Sequence, residues 1–150
     1  MPVSPATVAV CRCDSYAPEA VAGAVSAALR EILGGAPLAT PGQTVLLKPN
    51  LLSPRPPDEA VTTHPAVVLA VGRLCLEAGA RLWIADSCAG DHSDEALWSK
   101  TGMRAVAEEL GAELKSCNGP VVGRPCGGIQ IPVPEWLGAV DVILSLPKLK

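Results

Sequence analysis

The chain has very few aromatic residues. It contains no Phe, one Tyr and three Trp among 150 residues, so that aromatic residues make up 3% of a sequence that is 49% hydrophobic. The hydrophobic core must therefore consist mainly of Ala, Val and Leu side chains. A chain of this length buries roughly 68–70% of the surface that its unfolded form exposes, which is enough for one domain. We therefore expect a single α/β domain over residues 1–150.

Clusters of basic residues are also absent. The sequence has 12 Lys and Arg against 15 Asp and Glu, a formal net charge of −3, and no stretch interleaves basic with aromatic residues. Because nucleic-acid binding depends on basic side chains that neutralise phosphates, we expect no nucleic-acid partner. No apolar run approaches the roughly 18 residues that span a bilayer, and the first ten residues do not resemble a signal peptide. We therefore expect a cytoplasmic protein without a membrane partner.

Several cofactor motifs are missing as well. The six cysteines include no C-x-x-C pair and nothing like the C-x-x-C-x-x-C-x-x-x-C-P run of a ferredoxin. The phosphate-binding G-x-x-x-x-G-K-[ST] loop does not occur, and the turn after the first predicted strand has no glycine for a G-x-G-x-x-G fingerprint. Without a signal peptide the cysteines are expected to stay free thiols. No cofactor is evident in the chain, and NAD is not expected.

Proline and glycine are abundant, with 15 and 14 residues, which suits a fold with many strand-to-helix corners. Hydrophobic patterns predict that strands and helices alternate, which favours a parallel sheet with right-handed crossovers. We expect a three-layer, Rossmann-like α/β fold with a mostly parallel sheet and helices on both faces, left incomplete in this chain. Strands are predicted at residues 7–11, 44–48, 81–86, 112–116, 128–133 and 140–146, and helices at 18–34, from about 62 to 78, near 93, and at 103–110.

Two of the predicted strands run into a lysine and a proline. Lys48 follows the strand at residues 44–47, and Lys148 and Lys150 follow the last strand. In open α/β sheets ligands bind outside the carboxyl ends of the strands, where an ammonium group can pair with phosphate or carboxylate. The pattern predicts a positively charged pocket for a small anionic ligand, with Asn50 adding polar groups; alternatively, Lys48 only ends a buried strand. Because the second corner closes the sequence, we expect the N-terminal portion of a longer protein.

A long Pro-rich loop leads from Asn50 to Thr62, Thr63 and His64 at the start of the second helix. Free backbone N–H groups and the positive end of the helix dipole favour an anion there, and ordinary capping of the helix is the alternative for the threonines. His64 is the candidate catalytic base, although no partner residue is identifiable from the sequence.

The third strand ends in Asp86, Ser87 and Cys88. Asp86 can hold a ribose hydroxyl or a metal-bound water at the same sheet edge, or it can simply cap a turn. Cys88 is a weak candidate for a metal ligand, and lone cysteines of this kind are more often inert. The acidic stretch at residues 91–94 suits the solvated start of a helix better than a metal site.

In combination, these motifs resemble the DUF362 family, which is named as a domain of unknown function. Their order and spacing agree along most of the chain from about residue 7. The resemblance rests on residues 45–52 (VLLKPNLL), 62–65 (TTHP), 77–80 (EAGA), 84–87 (IADS), 101–102 (TG) and 146–150 (LPKLK).

The resemblance implies an iron–sulfur-associated, redox-linked protein. Family members usually continue past the second lysine motif, and many carry a ferredoxin-type domain with a four-cysteine cluster. A 4Fe–4S cluster is therefore implied in a C-terminal region that this sequence does not include, and no reaction is implied. The positions that match family motifs are Lys48, Asn50, Thr63, His64, Asp86, Lys148 and Lys150.

Two functions remain open at this point. The domain is either the substrate-binding part of a redox protein, which receives electrons from a cluster domain, or an accessory module that docks a ferredoxin-like domain or partner through its lysines. Whether the chain is an enzyme, and its oligomeric state, stay open.

Overall fold

The computed structural model of the chain describes residues 7–149. Helices and strands alternate over most of this range, and two short 3₁₀ helices, Pro57–Glu59 and Glu135–Ala139, interrupt the loops. The elements are α1 (Pro18–Leu33), β1 (Thr44–Pro49), α2 (Pro65–Glu77), β2 (Arg81–Ile84), α3 (Asp94–Lys100), α4 (Met103–Leu110), β3 (Glu113–Leu114), β4 (Val121–Cys126), β5 (Ile129–Pro134) and β6 (Val142–Leu146).

Four of the strands form a parallel sheet in the order β3-β2-β1-β6. The central strand β1 lies between β2 and β6 and is buried at five of its six positions, as its continuous apolar sequence predicts. Strands β4 and β5 form a separate antiparallel hairpin. The predicted α/β class with a mostly parallel sheet is therefore confirmed.

One face of the sheet packs against helices α2 and α4. Val45 and Leu47 on β1 and Ile84 on β2 are fully buried in this aliphatic core, and each such side chain contributes about 1.5–3 kcal/mol to stability. Gly72 lets Leu110 of α4 approach the backbone of α2 closely, because a Cβ at this position would collide with the leucine side chain. Helix α1 packs on α2 and buries only Val21.

The other face of the sheet carries the side chains that alternate with these core residues. Trp83 of β2 points to this side and meets Trp136 of the second 3₁₀ helix edge to face, with ring centroids 6.0 Å apart. The Trp136 indole N–H donates to the carbonyl oxygen of Ser116 at 2.7 Å, which fixes the ring. A short helix and the hairpin therefore make a thin third layer over the sheet.

The predicted first strand does not form. Residues 7–11 run without strand pairing, and the side chains of Val8 and Val10 are 79% and 91% exposed. The prediction at residues 7–11 was wrong because β-branched composition expresses only a local preference, whereas a strand also needs a neighbour to pair with.

Two other strand predictions needed changes. The segment predicted at residues 112–116 forms only the two-residue strand β3, and the strand predicted at 128–133 is β5 of the hairpin. Its partner β4 was not among the predicted strands, because Gly123 and Pro125 interrupt its pattern. Pro125 is tolerated because a two-stranded hairpin leaves one side of each strand without a partner.

Candidate functional site

An ion pair joins the ends of the two adjacent strands β1 and β2. Lys48 Nζ lies 2.5 Å from Asp86 Oδ1, and the side chains are 49% and 7% exposed, respectively. The second carboxylate oxygen of Asp86 accepts the backbone N–H of Leu51 at 2.7 Å. The buried carboxylate therefore holds both the chain after β1 and the half-exposed ammonium group, whose charge it partly neutralises. We refer to this as the Lys48–Asp86 pair.

The hydroxyl group of Thr63 joins three segments at the same sheet edge. Thr63 Oγ1 accepts the backbone N–H of Asn50 at 2.9 Å and donates to the carbonyl oxygen of Leu146 at 2.6 Å. The backbone N–H of Thr63 also donates to the Asn50 carbonyl oxygen. Thr63 is 3% exposed, so its hydroxyl links the ends of β1 and β6 to the start of α2. A ligand-binding role for Thr63 or Asn50 stays a prediction.

His64 is the N-cap residue of α2. Its Nδ1 accepts the backbone N–H of Ala66 at 3.2 Å, so the neutral imidazole carries its proton on Nε2. The ring of Tyr16 stacks on His64, and Lys148 Nζ lies 3.4 Å from the Tyr16 hydroxyl oxygen. Tyr16, His64 and Lys148 form what we call the Tyr16 cluster.

The surroundings of His64 favour its neutral form. Burial lowers the pKa of His64, and the positive charge of Lys148 lowers it further. An unprotonated imidazole is the form that a general base requires. Whether His64 transfers a proton remains a prediction.

The two strand-end lysines lie at the same edge of the sheet but in different clusters. Lys48 pairs with Asp86, whereas Lys148 belongs to the Tyr16 cluster. Lys150 lies outside the residues that the structure describes. Tyr16 was not predicted as a site residue, although it is the only tyrosine in the chain and lies two residues before the start of α1.

A cleft of about 390 Å³ opens beside the Lys48–Asp86 pair, on the sheet face that carries the hairpin. Ser87 and Cys117 lie at its polar end together with the pair, and its walls are apolar. The wall residues, which the sequence analysis did not identify, are Leu46, Ala85, Val121, Pro132, Pro134, Trp136, Leu137 and Ile143.

The cysteines near this cleft are not arranged as metal ligands. The Cys88 thiol donates to the carbonyl oxygen of Leu52 at 3.4 Å. Burial raises the pKa of Cys88, and the Asp86 and Asp94 carboxylates raise it further. Burial and the carboxylates of Asp86 and Asp94 also raise the pKa of Cys117, while the positive charge of Lys48 lowers it by a smaller amount. Both thiols therefore favour the protonated form at neutral pH, and a metal-ligand role for Cys88 stays a prediction.

A four-cysteine cluster does not fit the part of the chain that the structure describes. Within residues 7–149 no three His, Cys, Asp or Glu side chains lie close enough together to hold a metal ion. A 4Fe–4S cluster needs four cysteine thiolates, but Cys75 is buried in the helical core while Cys11, Cys13 and Cys126 are exposed elsewhere.

The fold and the cleft define an α/β domain with a ligand-sized opening at the carboxyl edge of a parallel sheet. The chain belongs to the family described as "Domain of unknown function (DUF362)", whose model matches residues 45–150. This range includes every motif on which the resemblance in the sequence rests, and the resemblance is confirmed.

One curated relative is the thylakoid-associated protein sll1697 of Synechocystis sp. (strain ATCC 27184 / PCC 6803 / Kazusa). It is 31% identical over 149 residues, which cover 96% of this chain and 45% of the relative. The chain thus spans less than half the length of this relative. No solved structure matches the chain. Among the described residues, no helix combines the length and apolar character needed to cross a membrane.

Proposed function

We propose that the chain is the substrate-binding part of a larger DUF362 protein, and that a small anionic ligand binds in the cleft with its charged group at Lys48. The observation that carries this proposal is the position of Lys48, whose half-exposed ammonium group is held at the polar end of the cleft by the buried Asp86 carboxylate. The carboxyl edge of a parallel sheet is also where ligands bind in open α/β folds.

Lys48, Asp86 and Ser87 each have a distinct task in the proposal. Asp86 accepts one hydrogen bond from Lys48, and the ammonium group keeps further N–H donors for a ligand. Ser87 adds a hydroxyl group at the same end. The apolar walls exclude water and thereby strengthen the attraction between Lys48 and the bound anion.

The redox part of the proposal concerns the longer protein. An iron–sulfur cluster supplies electrons one at a time, and the family resemblance implies such a cluster outside this chain. In this proposal the residues of this chain bind and orient the ligand, and the cluster of the longer protein supplies the electrons.

A second candidate function is that of an accessory module that docks a ferredoxin-like partner. The outer face of the hairpin favours it, because Ile129 and Ile131 are 64% and 40% exposed. Arg124 shares this face, being paired with Ile131 across the hairpin. Exposed apolar residues together with arginine are common in protein interfaces.

A ligand screen tests the first function. Acetate, phenylacetate, inorganic phosphate and phenyl phosphate are added to the chain and its urea unfolding midpoint is measured. A ligand present at 100 times its dissociation constant stabilises the fold by about 2.7 kcal/mol. We expect at least one anion to stabilise the wild type and the control Lys100→Met, whose lysine lies on α3 outside the cleft, but not Lys48→Met.

The screen also has clear contrary outcomes. If no anion shifts the midpoint, the binding proposal is wrong and the docking function becomes the better candidate. If an anion stabilises Lys48→Met as much as the wild type, it binds somewhere other than the cleft. Docking is tested separately by titrating a reduced bacterial-type ferredoxin and comparing wild type with Ile131→Asp.

A further inference from the structure

We infer that the ligand of the cleft is a monocarboxylate with an apolar body about the size of one ring, and not a phosphate ester or a nucleotide. This inference rests on the proposed function, because it names the chemical class of the ligand that Lys48 binds. Three properties of the cleft lead to it: its charge, its lack of donors along the walls, and its size.

The charge of the cleft suits a single negative charge. Among the described residues that line it, Lys48 is the one basic side chain, and Asp86 neutralises part of that charge. A phosphate dianion would bring a second negative charge towards the buried Asp86 carboxylate with no further cation to offset it. A carboxylate brings only one charge and needs only the free donors of the ammonium group.

The walls of the cleft offer few hydrogen-bond donors. Pro132 and Pro134 have no backbone N–H, and the indole N–H of Trp136 is already bonded to Ser116. Phosphate-binding sites typically present several backbone N–H groups to the anion, whereas the two prolines of this wall present no backbone N–H group. The walls therefore suit an apolar body and not the hydroxyl groups of a ribose.

The size of the cleft fits a compact ligand. Its volume of about 390 Å³ lies near the lower end of the roughly 300–1,000 Å³ found for ligand pockets. Leu46 and Ile143 from adjacent strands form the floor, and Leu137 faces them from the second 3₁₀ helix. One ring or a branched chain of similar size would contact both layers at once.

Calorimetric titration of the 150-residue chain tests the class of ligand. Phenylacetate is compared with three probes that each change one property: acetate lacks the ring, phenyl phosphate has a dianionic head, and benzyl alcohol lacks the charge. We expect phenylacetate to bind at least about tenfold more tightly than each of the other three. Acetate lacks the buried ring, benzyl alcohol lacks the charge that pairs with Lys48, and phenyl phosphate brings a second negative charge towards Asp86.

Two variants test whether phenylacetate binds in the cleft. Lys48→Met should reduce phenylacetate affinity at least about tenfold and leave benzyl alcohol unchanged. Ile143→Thr keeps a β-branched residue on a half-exposed strand position, so that the fold is retained. It should weaken phenylacetate about threefold, by loss of a methylene contact, without changing the affinity for acetate.

The results separate this inference from the proposed function. If phenyl phosphate or acetate binds as tightly as phenylacetate in a manner that depends on Lys48, the inferred class is wrong while the cleft remains an anion site. If Ile143→Thr leaves phenylacetate affinity unchanged, the ring does not lie on the sheet and the inference fails. If no probe binds, the proposed function fails and the inference fails with it.

Discussion

The ring of Tyr16 lies flat against the imidazole of His64, with centroids 3.8 Å apart and ring planes inclined by 9°. Tyr16 precedes α1, His64 caps α2, and Lys148 follows β6 with its ammonium group 5.9 Å from the centre of the tyrosine ring. Three segments that are distant in the sequence therefore meet at one stacked pair of rings.

Protonation of His64 should destabilise the fold. Burial and Lys148 place the pKa of His64 below its ordinary value of 6.5. The unfolded chain then binds more protons than the folded chain in this range, so stability rises with pH. The contribution of His64 is complete above about pH 6.5 and is lost as the pH falls through 6.5 towards the lower folded value. Urea unfolding between pH 5 and 8 should show this dependence.

Two variants isolate the His64 effect. His64→Asn keeps a good N-cap side chain but does not titrate, so its stability should depend less on pH in this window. Lys148→Met removes the like charge and should therefore raise the pKa of His64. This pKa is measured by NMR titration of the histidine ring protons. The signals of the other histidine, His92, are assigned with the variant His92→Gln. A pKa of His64 at or above 6.5 in the wild type would contradict the account.

The Thr63 hydroxyl should contribute measurably to stability. Thr63→Val keeps the shape of the side chain but leaves the Asn50 N–H and the Leu146 carbonyl oxygen without this partner. Loss of a buried hydrogen-bonding partner costs about 1–3 kcal/mol. Thr63→Ser retains the hydroxyl and should cost clearly less. Equal urea midpoints for the two variants would mean that the hydroxyl does not join these segments.

Gly102 should tolerate alanine poorly because it touches a rigid ring. Its φ is +77°, and a Cβ there would lie 2.9 Å from Pro65. Gly111 is a matched control, since its φ is +62° but a Cβ would meet nothing within 4 Å. We expect Gly111→Ala to cost about 1–2 kcal/mol from backbone strain alone. Gly102→Ala should cost about 1–3 kcal/mol more through overpacking. Equal losses in thermal or urea unfolding would rule out the contact.

Cys75 should resist alkylation in the folded protein. Burial raises the pKa of this thiol to about 11, and its side chain has no exposed surface. At pH 8 such a thiol is ionised to about one part in a thousand, and the thiolate is the reactive form. Iodoacetamide labelling followed by peptide mass spectrometry should modify the exposed Cys11, Cys13 and Cys126 first. Early modification of Cys75 would show that α2 opens readily.

Local sequence patterns were sufficient for the helical half of the fold. Helix α2 spans Pro65–Glu77 and α4 spans Met103–Leu110, close to the predicted ranges of about 62–78 and 103–110. The strand at residues 7–11 could not be judged in this way, because pairing depends on residues far away in the sequence. The hairpin partner β4 was missed for a different reason, because Gly123 and Pro125 interrupt its strand pattern.

The candidate site was only partly predictable. The rule that ligands bind at the carboxyl ends of parallel strands brought Lys48, Asp86 and Lys148 to one edge. It did not reveal that Asp86 holds Lys48, since this depends on β1 and β2 being neighbours. Trp136 and Tyr16 were missed because each lies in a short irregular segment, and only tertiary structure places them beside the site.

The order of the strands also determines when the cleft can form during folding. Thr44 N donates to Asp141 Oδ2 across 97 residues of sequence, and β6 pairs with β1 directly after this contact. Closing a loop of that length costs about 4 kcal/mol of chain entropy, and long-range pairing of this kind is slow. We expect the α2–β2–α4 half to assemble first and β6 to join it later, which pulse-labelled hydrogen exchange of the β6 amides would show. The floor of the cleft would then be the last part of the domain to be made, and substitutions that weaken β6 would abolish the binding site before they unfold the helical half.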